Sequence, residues 1–90
     1  MVLRIERFKR QKLSVFTLSG VLDEQYIPEL QRLFGSSADP LSVIVDLGGV
    51  TLIDRPSVLF LADCEKNGLT LERCPEYIRQ WINSERTPAS

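Results

Sequence analysis

The chain contains no histidine. Without an imidazole, Ser-His-Asp and Cys-His nucleophile pairs are excluded, and so are histidine-based metal sites. Cysteine is scarce: Cys64 and Cys74 stand alone and do not form the close CxxC pair that chelates zinc or cycles redox state. Both read as reduced, small apolar side chains of a cytosolic protein. Spacing does not exclude a disulfide between them, and nothing favours one. No apolar run exceeds Val58-Leu59-Phe60-Leu61-Ala62, far short of the ~18–20 residues that span a bilayer. Arg4, Glu6 and Arg7 put charge where an export signal needs its apolar stretch, so a cytoplasmic protein is expected. Neither sign of charge dominates: 11 basic against 12 acidic residues leave a net charge of −1, which names no polyanionic partner. What remains is ordinary globular material, 90 residues that are 43% hydrophobic and 26% charged, enough for one compact core.

Two β-rich runs open the chain. Val2 to Phe8 alternates imperfectly, as an edge strand does, and Lys9-Arg10-Gln11-Lys12 is a polar turn. Leu13 to Ser19, ending at Gly20, reads as a second strand antiparallel to the first. This pair carries Arg4, Arg7, Lys9, Arg10 and Lys12 against Glu6 alone. The excess reads first as a solvated edge that resists sheet-to-sheet association. Contact with nucleic acid or acidic lipid heads is the sharper alternative.

A helix follows, with Asp23, Glu24 and Glu29 near its positive end and Pro28 in its first turn. Ile27, Leu30, Leu33 and Phe34 form its apolar stripe, and Gly35-Ser36-Ser37 with Asp39-Pro40 ends it. Leu41 to Leu47 is the clearest strand. Val43, Val45 and Leu47 share one side, and Ser42, Ile44 and Asp46 share the other, so helices are expected on one face only. Gly48-Gly49 lacks the surroundings of a phosphate loop and reads as a turn. Asp54 then caps a second helix, with Pro56 in its first turn and Asn67-Gly68 as its stop. Leu69 to Glu72 is a short fourth strand. Pro75 opens a last helix with the stripe Tyr77, Ile78, Trp81 and Ile82, where Tyr77 and Trp81 read as core packing and a partner-binding spot is the minority reading.

The expected order is β-β-α-β-α-β-α: a two-layer α/β domain with a four-stranded mixed sheet and its helices on one face. Residues 1–82 form the single domain, and residues 83–90 form a polar tail that frays. Ile44 and one row of the second strand are left as a partly apolar open face. A monomer or weak dimer is expected from it.

Three phrases in order now carry a resemblance. Phe16-Thr17-Leu18-Ser19-Gly20-Val21-Leu22-Asp23, then Pro28-Glu29-Leu30, then Val43-Ile44-Val45-Asp46-Leu47-Gly48-Gly49-Val50-Thr51-Leu52-Ile53-Asp54 resemble the STAS domain. This is the family of bacterial anti-sigma factor antagonists and of regulatory domains in sulfate transporters. The likeness runs from about residue 12 to 68. It implies a non-enzymatic module that binds another bacterial protein, either a serine-kinase-type anti-sigma factor or a component of a membrane transport complex. It implies no cofactor, no nucleic acid and no membrane insertion.

One departure bears on mechanism. Phosphorylatable members follow the Asp before the second helix with Ser, then Ser or Thr, then Gly, and the first Ser accepts phosphate. Here the stretch is Asp54-Arg55-Pro56-Ser57. Arg55 has no hydroxyl, so the usual switch cannot operate there. Asp54 reads as a cap before it reads as a site carboxylate. Ser57 reads as a small packing residue before a displaced phosphoacceptor. Arg55 at a helix's positive end is disfavoured by the dipole. It is either solvated or engaged with an external acidic group or bound anion. Asp54, Arg55 and Ser57 are therefore the candidate partner- or anion-binding residues. A small nucleotide- or anion-binding sensor at the same helix end is the alternative function.

Overall fold

A computed structural model describes residues 2–36 and 39–86. β1 (Leu3–Arg10) and β2 (Leu13–Leu22) pair antiparallel in unbroken register from Leu3 opposite Gly20 to Arg10 opposite Leu13. A 3₁₀ turn at Glu24–Tyr26, capped by the Asp23 carboxylate, leads into α1 (Ile27–Gly35). β3 (Val43–Ile53), α2 (Arg55–Lys66), β4 (Thr70–Glu72) and α3 (Glu76–Arg86) complete the chain. The sheet order is β1-β2-β3-β4, with β2, β3 and β4 parallel. The expected mixed-sheet α/β architecture is therefore the one observed.

One core holds the two layers together. Leu3, Phe16, Leu18, Val43, Val45 and Leu47 from one parity of the strands meet Leu30 and Phe34 of α1. Val58, Leu61 and Ala62 of α2 and Ile78 and Ile82 of α3 close the same cluster. Phe16 meets the edge of Phe34 at 5.1 Å, and Phe34 stacks on Phe60 at 5.9 Å, within the range where aromatic pairs add to burial. The opposite parity contributes nothing to that cluster. The helices lie on one face.

The open face is nonetheless not an apolar shelf. Val15 and Ile44 are buried there at 1% and 6% exposure, so the partly apolar row expected at Ile44 is already covered. They form a cross-strand row from Phe8 through Val15 and Ile44 to Thr70. Beside it Arg73 lies on Asp46, and Arg10 approaches Glu72 at 3.8 Å.

Three expectations need correction. Gly48-Gly49 is not a turn, because β3 runs through it to Ile53. Its ladder with β2 slips twice, between Thr17 and Ser19 and between Gly20 and Val21, so β3 carries extra residues at two bulges. A Cβ on Gly49 would lie 2.6 Å from that of Ser19, so glycine marks close strand approach at a bulge. Tyr77 is 49% exposed rather than core, while Trp81 is half-buried against the cluster. Residues 83–86, expected to fray, are helical, and Arg86 and Glu85 are both ion-paired to α2. Residues 87–90 of the expected tail, and Ser37 of the expected loop, lie outside the described residues.

Candidate functional site

The candidate residues sit where β2 and β3 end and α2 begins. Leu22 and Ile53 are the last paired residues of the two parallel strands, and the Asp54 N–H donates to the Leu22 carbonyl at 3.3 Å. Crevices at the carboxyl ends of parallel strands are where open α/β sheets present their binding groups. Asp54 serves two elements there. Its Oδ1 accepts from the Ser57 N–H at 3.0 Å, which caps α2, and its Oδ2 accepts from the Glu24 N–H at 3.0 Å. Burial raises its pKa, but the bonds from Ser57 and the Glu24 N–H outweigh it and hold the carboxyl below the ordinary value.

Arg55 points outward with its side chain 67% exposed, yet it is paired. Its Nε donates to Glu85 Oε2 at 2.9 Å and its Nη2 to Glu85 Oε1 at 3.3 Å, a two-point contact from the end of α3. The Trp81 indole N–H donates to the same carboxylate at 3.2 Å. Bonded by Arg55 first, and opposed by partial desolvation, Glu85 is pushed below the usual glutamate value. The guanidinium thus already has a carboxylate within its own chain.

Ser57 is fully buried in the first turn of α2. Its Oγ makes no hydrogen bond of good geometry, although its proximity helps hold the Asp54 charge. A hydroxyl so placed cannot meet a kinase or a ligand unless the helix end opens.

Exposed apolar side chains lie near this helix end in the chain. Leu52 and Leu59 are exposed, with Leu59 one helical turn beyond Arg55. Tyr77 is also exposed, its hydroxyl donating to the Thr51 carbonyl at 3.3 Å. The structure therefore brings Asp54, Arg55 and Ser57 to one helix end but gives them unequal roles. Arg55 is exposed, Asp54 is half-buried and Ser57 is sealed. Glu85, Leu52 and Tyr77 were not singled out for this site from sequence. Glu85 is thirty positions from Arg55 in a segment that reads as solvated, and no local signal pairs them. No enclosed pocket forms among the described residues, and no three acidic or cysteine side chains converge on a metal-sized site.

By sequence, no protein-family model and no curated protein matches this chain. By structure it is similar to an anti-sigma factor antagonist from Mycobacterium paratuberculosis, with a TM-score of 0.71 at 19% identity. The likeness covers 97% of this chain and 84% of that one. The chain shares the fold of that anti-sigma factor antagonist, a STAS-like fold.

Proposed function

We propose that this chain is a non-enzymatic regulatory module that docks onto a bacterial protein through the N-terminal end of α2, with no phosphorylation switch. The state of that helix end carries the reading. The position that holds the acceptor serine in phosphorylatable relatives is Arg55, its guanidinium is paired to Glu85, and the one nearby hydroxyl, Ser57, is sealed in the core. Exposed Leu59 one helical turn beyond exposed Arg55 sets an apolar side chain beside a charged one, the mixture that partner-facing patches use, and Leu52 is exposed at the end of β3. The fold likeness to an anti-sigma factor antagonist supports a partner of the serine-kinase anti-sigma type, with a transport-complex component as the alternative partner. Regulation then follows abundance rather than covalent state. Among the described residues no helix is long and apolar enough to cross a membrane.

The test is capture from bacterial cytosol with the intact chain and with Leu52→Glu/Leu59→Glu, read by mass spectrometry in the presence of ATP. One stoichiometric protein, retained with ATP and lost from the variant, is the expected result. Phosphate found on Ser57 removes the claim of a lost switch. A partner that binds the variant as tightly as the parent places docking elsewhere. Thermal stabilisation by nucleotides, with no protein recovered, replaces the proposal by the sensor reading.

A further inference from the structure

A second surface lies at the other side of the sheet, at the outer edge of β1. The Val21 N–H donates to the Val2 carbonyl across the ladder. In antiparallel pairs every second residue turns both backbone groups toward its neighbour. With the register unbroken, Arg4, Glu6, Phe8 and Arg10 therefore face β2, while Ile5, Arg7 and Lys9 turn theirs outward. The outward Leu3 N–H is taken by the Tyr26 hydroxyl at 3.1 Å. Beyond it, no hydrogen bond among the described residues occupies the outward groups of Ile5, Arg7 and Lys9. β1 has no proline and no bulge, the usual devices that blunt an edge. Charge alone guards it.

That charge is also most of the positive charge left without a close ion pair among the described residues. Residues 1–12 carry five basic side chains against Glu6, whereas residues 13–90 carry six against eleven acidic ones. Of those six, Arg32, Arg55, Arg73, Arg79 and Arg86 are ion-paired within the chain. On β1 the described ion pairs include only the long 3.8 Å approach of Arg10 to Glu72. Arg7 stands over the Phe16 ring at 5.6 Å on the helix side, and Phe8, 48% exposed, lies on the open side.

We infer that the β1 edge accepts an extended acidic segment of a partner protein by strand addition. The outward rows present N–H and C=O alternately, and another peptide backbone matches both, whereas phosphates of nucleic acid or lipid match only the donors. A second copy of this edge is disfavoured: an antiparallel pair centred on Arg7 puts Arg7 across from Arg7 and basic edge on basic edge. The same repulsion becomes attraction for a segment with carboxylates opposite Arg7 and Lys9 and an apolar side chain opposite Phe8. This surface is separate from the α2 end, so its failure leaves the proposed function standing.

The experiment uses the full chain and a short fluorescent peptide alternating glutamate and valine, followed by anisotropy and by amide hydrogen exchange. The expected result is salt-sensitive binding that slows exchange at Ile5, Arg7 and Lys9. Methylation of the peptide's edge-facing backbone nitrogens abolishes it, and a lysine–valine peptide does not bind. Arg7→Glu/Lys9→Glu, exposed changes checked for unchanged circular dichroism, weakens binding by about tenfold or more. Binding that survives methylation, or leaves those three amides exchanging freely, is electrostatic adhesion and overturns strand addition. Protection by oligothymidylate or by phosphatidylglycerol vesicles, with none from the peptide, assigns the edge to a polyanion and overturns it equally.

Discussion

Asp54 holds two chain segments with one carboxylate, the first turn of α2 and the start of the turn before α1. Its replacement removes a helix cap and leaves the Glu24 and Ser57 amides without their acceptor. Asp54→Ala should therefore cost about 1–2 kcal/mol in urea unfolding, the range of strong N-caps. A cost near zero would mean that water replaces both bonds without loss. Arg55 has a different logic. From sequence, a cation at the positive end of a helix is out of place, and only an external acid or plain solvation accounted for it. Glu85 supplies the acid internally, so the dipole penalty is met by a contact thirty residues away. Arg55→Glu would then set two carboxylates facing each other. Its melting temperature should fall below that of the parent, and Arg55→Gln should lie between them. Equal melting temperatures for all three would show that the Glu85 contact is not held in solution.

At the scale of elements, what the sequence could reveal was what local periodicity encodes. Val43, Val45 and Leu47 alternate cleanly, and they are the strand that faces the helices. The stripe of α1 is likewise legible, because Leu30 and Phe34 recur at helical spacing and both are buried. Gly48-Gly49 was illegible, since the same dipeptide serves a turn or a bulge and only the neighbouring strand decides. The decision shows in Gly49, where Ser19 leaves no room for a Cβ. Gly49→Ala should cost about 1–3 kcal/mol by overpacking at the bulge, whereas Gly35→Ala, which meets nothing within 4 Å, should be nearly neutral. Similar midpoints for the two variants in thermal melts would remove the close-approach argument. The end of α3 was missed for a related reason. A polar segment reads as fraying, yet Glu65 receives Arg79 at 2.8 and 2.9 Å and Arg86 at 2.8 Å across the helix pair. Ion pairs between helices carry no sequence period. At the proposed site the Asp54 cap was legible from the residue type before Pro56, whereas the pairing of Arg55 with Glu85 was not.

For the whole molecule, the missing histidine shapes the response to pH. No side chain with a mid-range pKa is present to titrate between about pH 6 and 8. The acid limb comes from Glu65, lowered chiefly by Arg79, and from Asp46 and Asp54, where hydrogen bonds overcome burial. Their folded pKa values lie below the unfolded ones. Their stabilisation is thus complete above the ordinary carboxylate range and is lost as pH falls through that range and below. The alkaline limb has another origin. Cys64 is buried in the core, and desolvation, with the nearby Asp63 charge, pushes its thiol from 9.0 up to about 12. Between those values the unfolded chain releases a proton that the folded chain keeps, so stability falls as pH rises from about 9 to about 12. Urea midpoints should accordingly stay level across neutrality, drop on the acid side and decline again above about pH 9. Cys64→Ala loses some packing at every pH but has no thiol to ionise, so its alkaline decline should be shallower than that of the parent. Parallel declines in the two proteins would show that the buried thiol is not what limits stability in base.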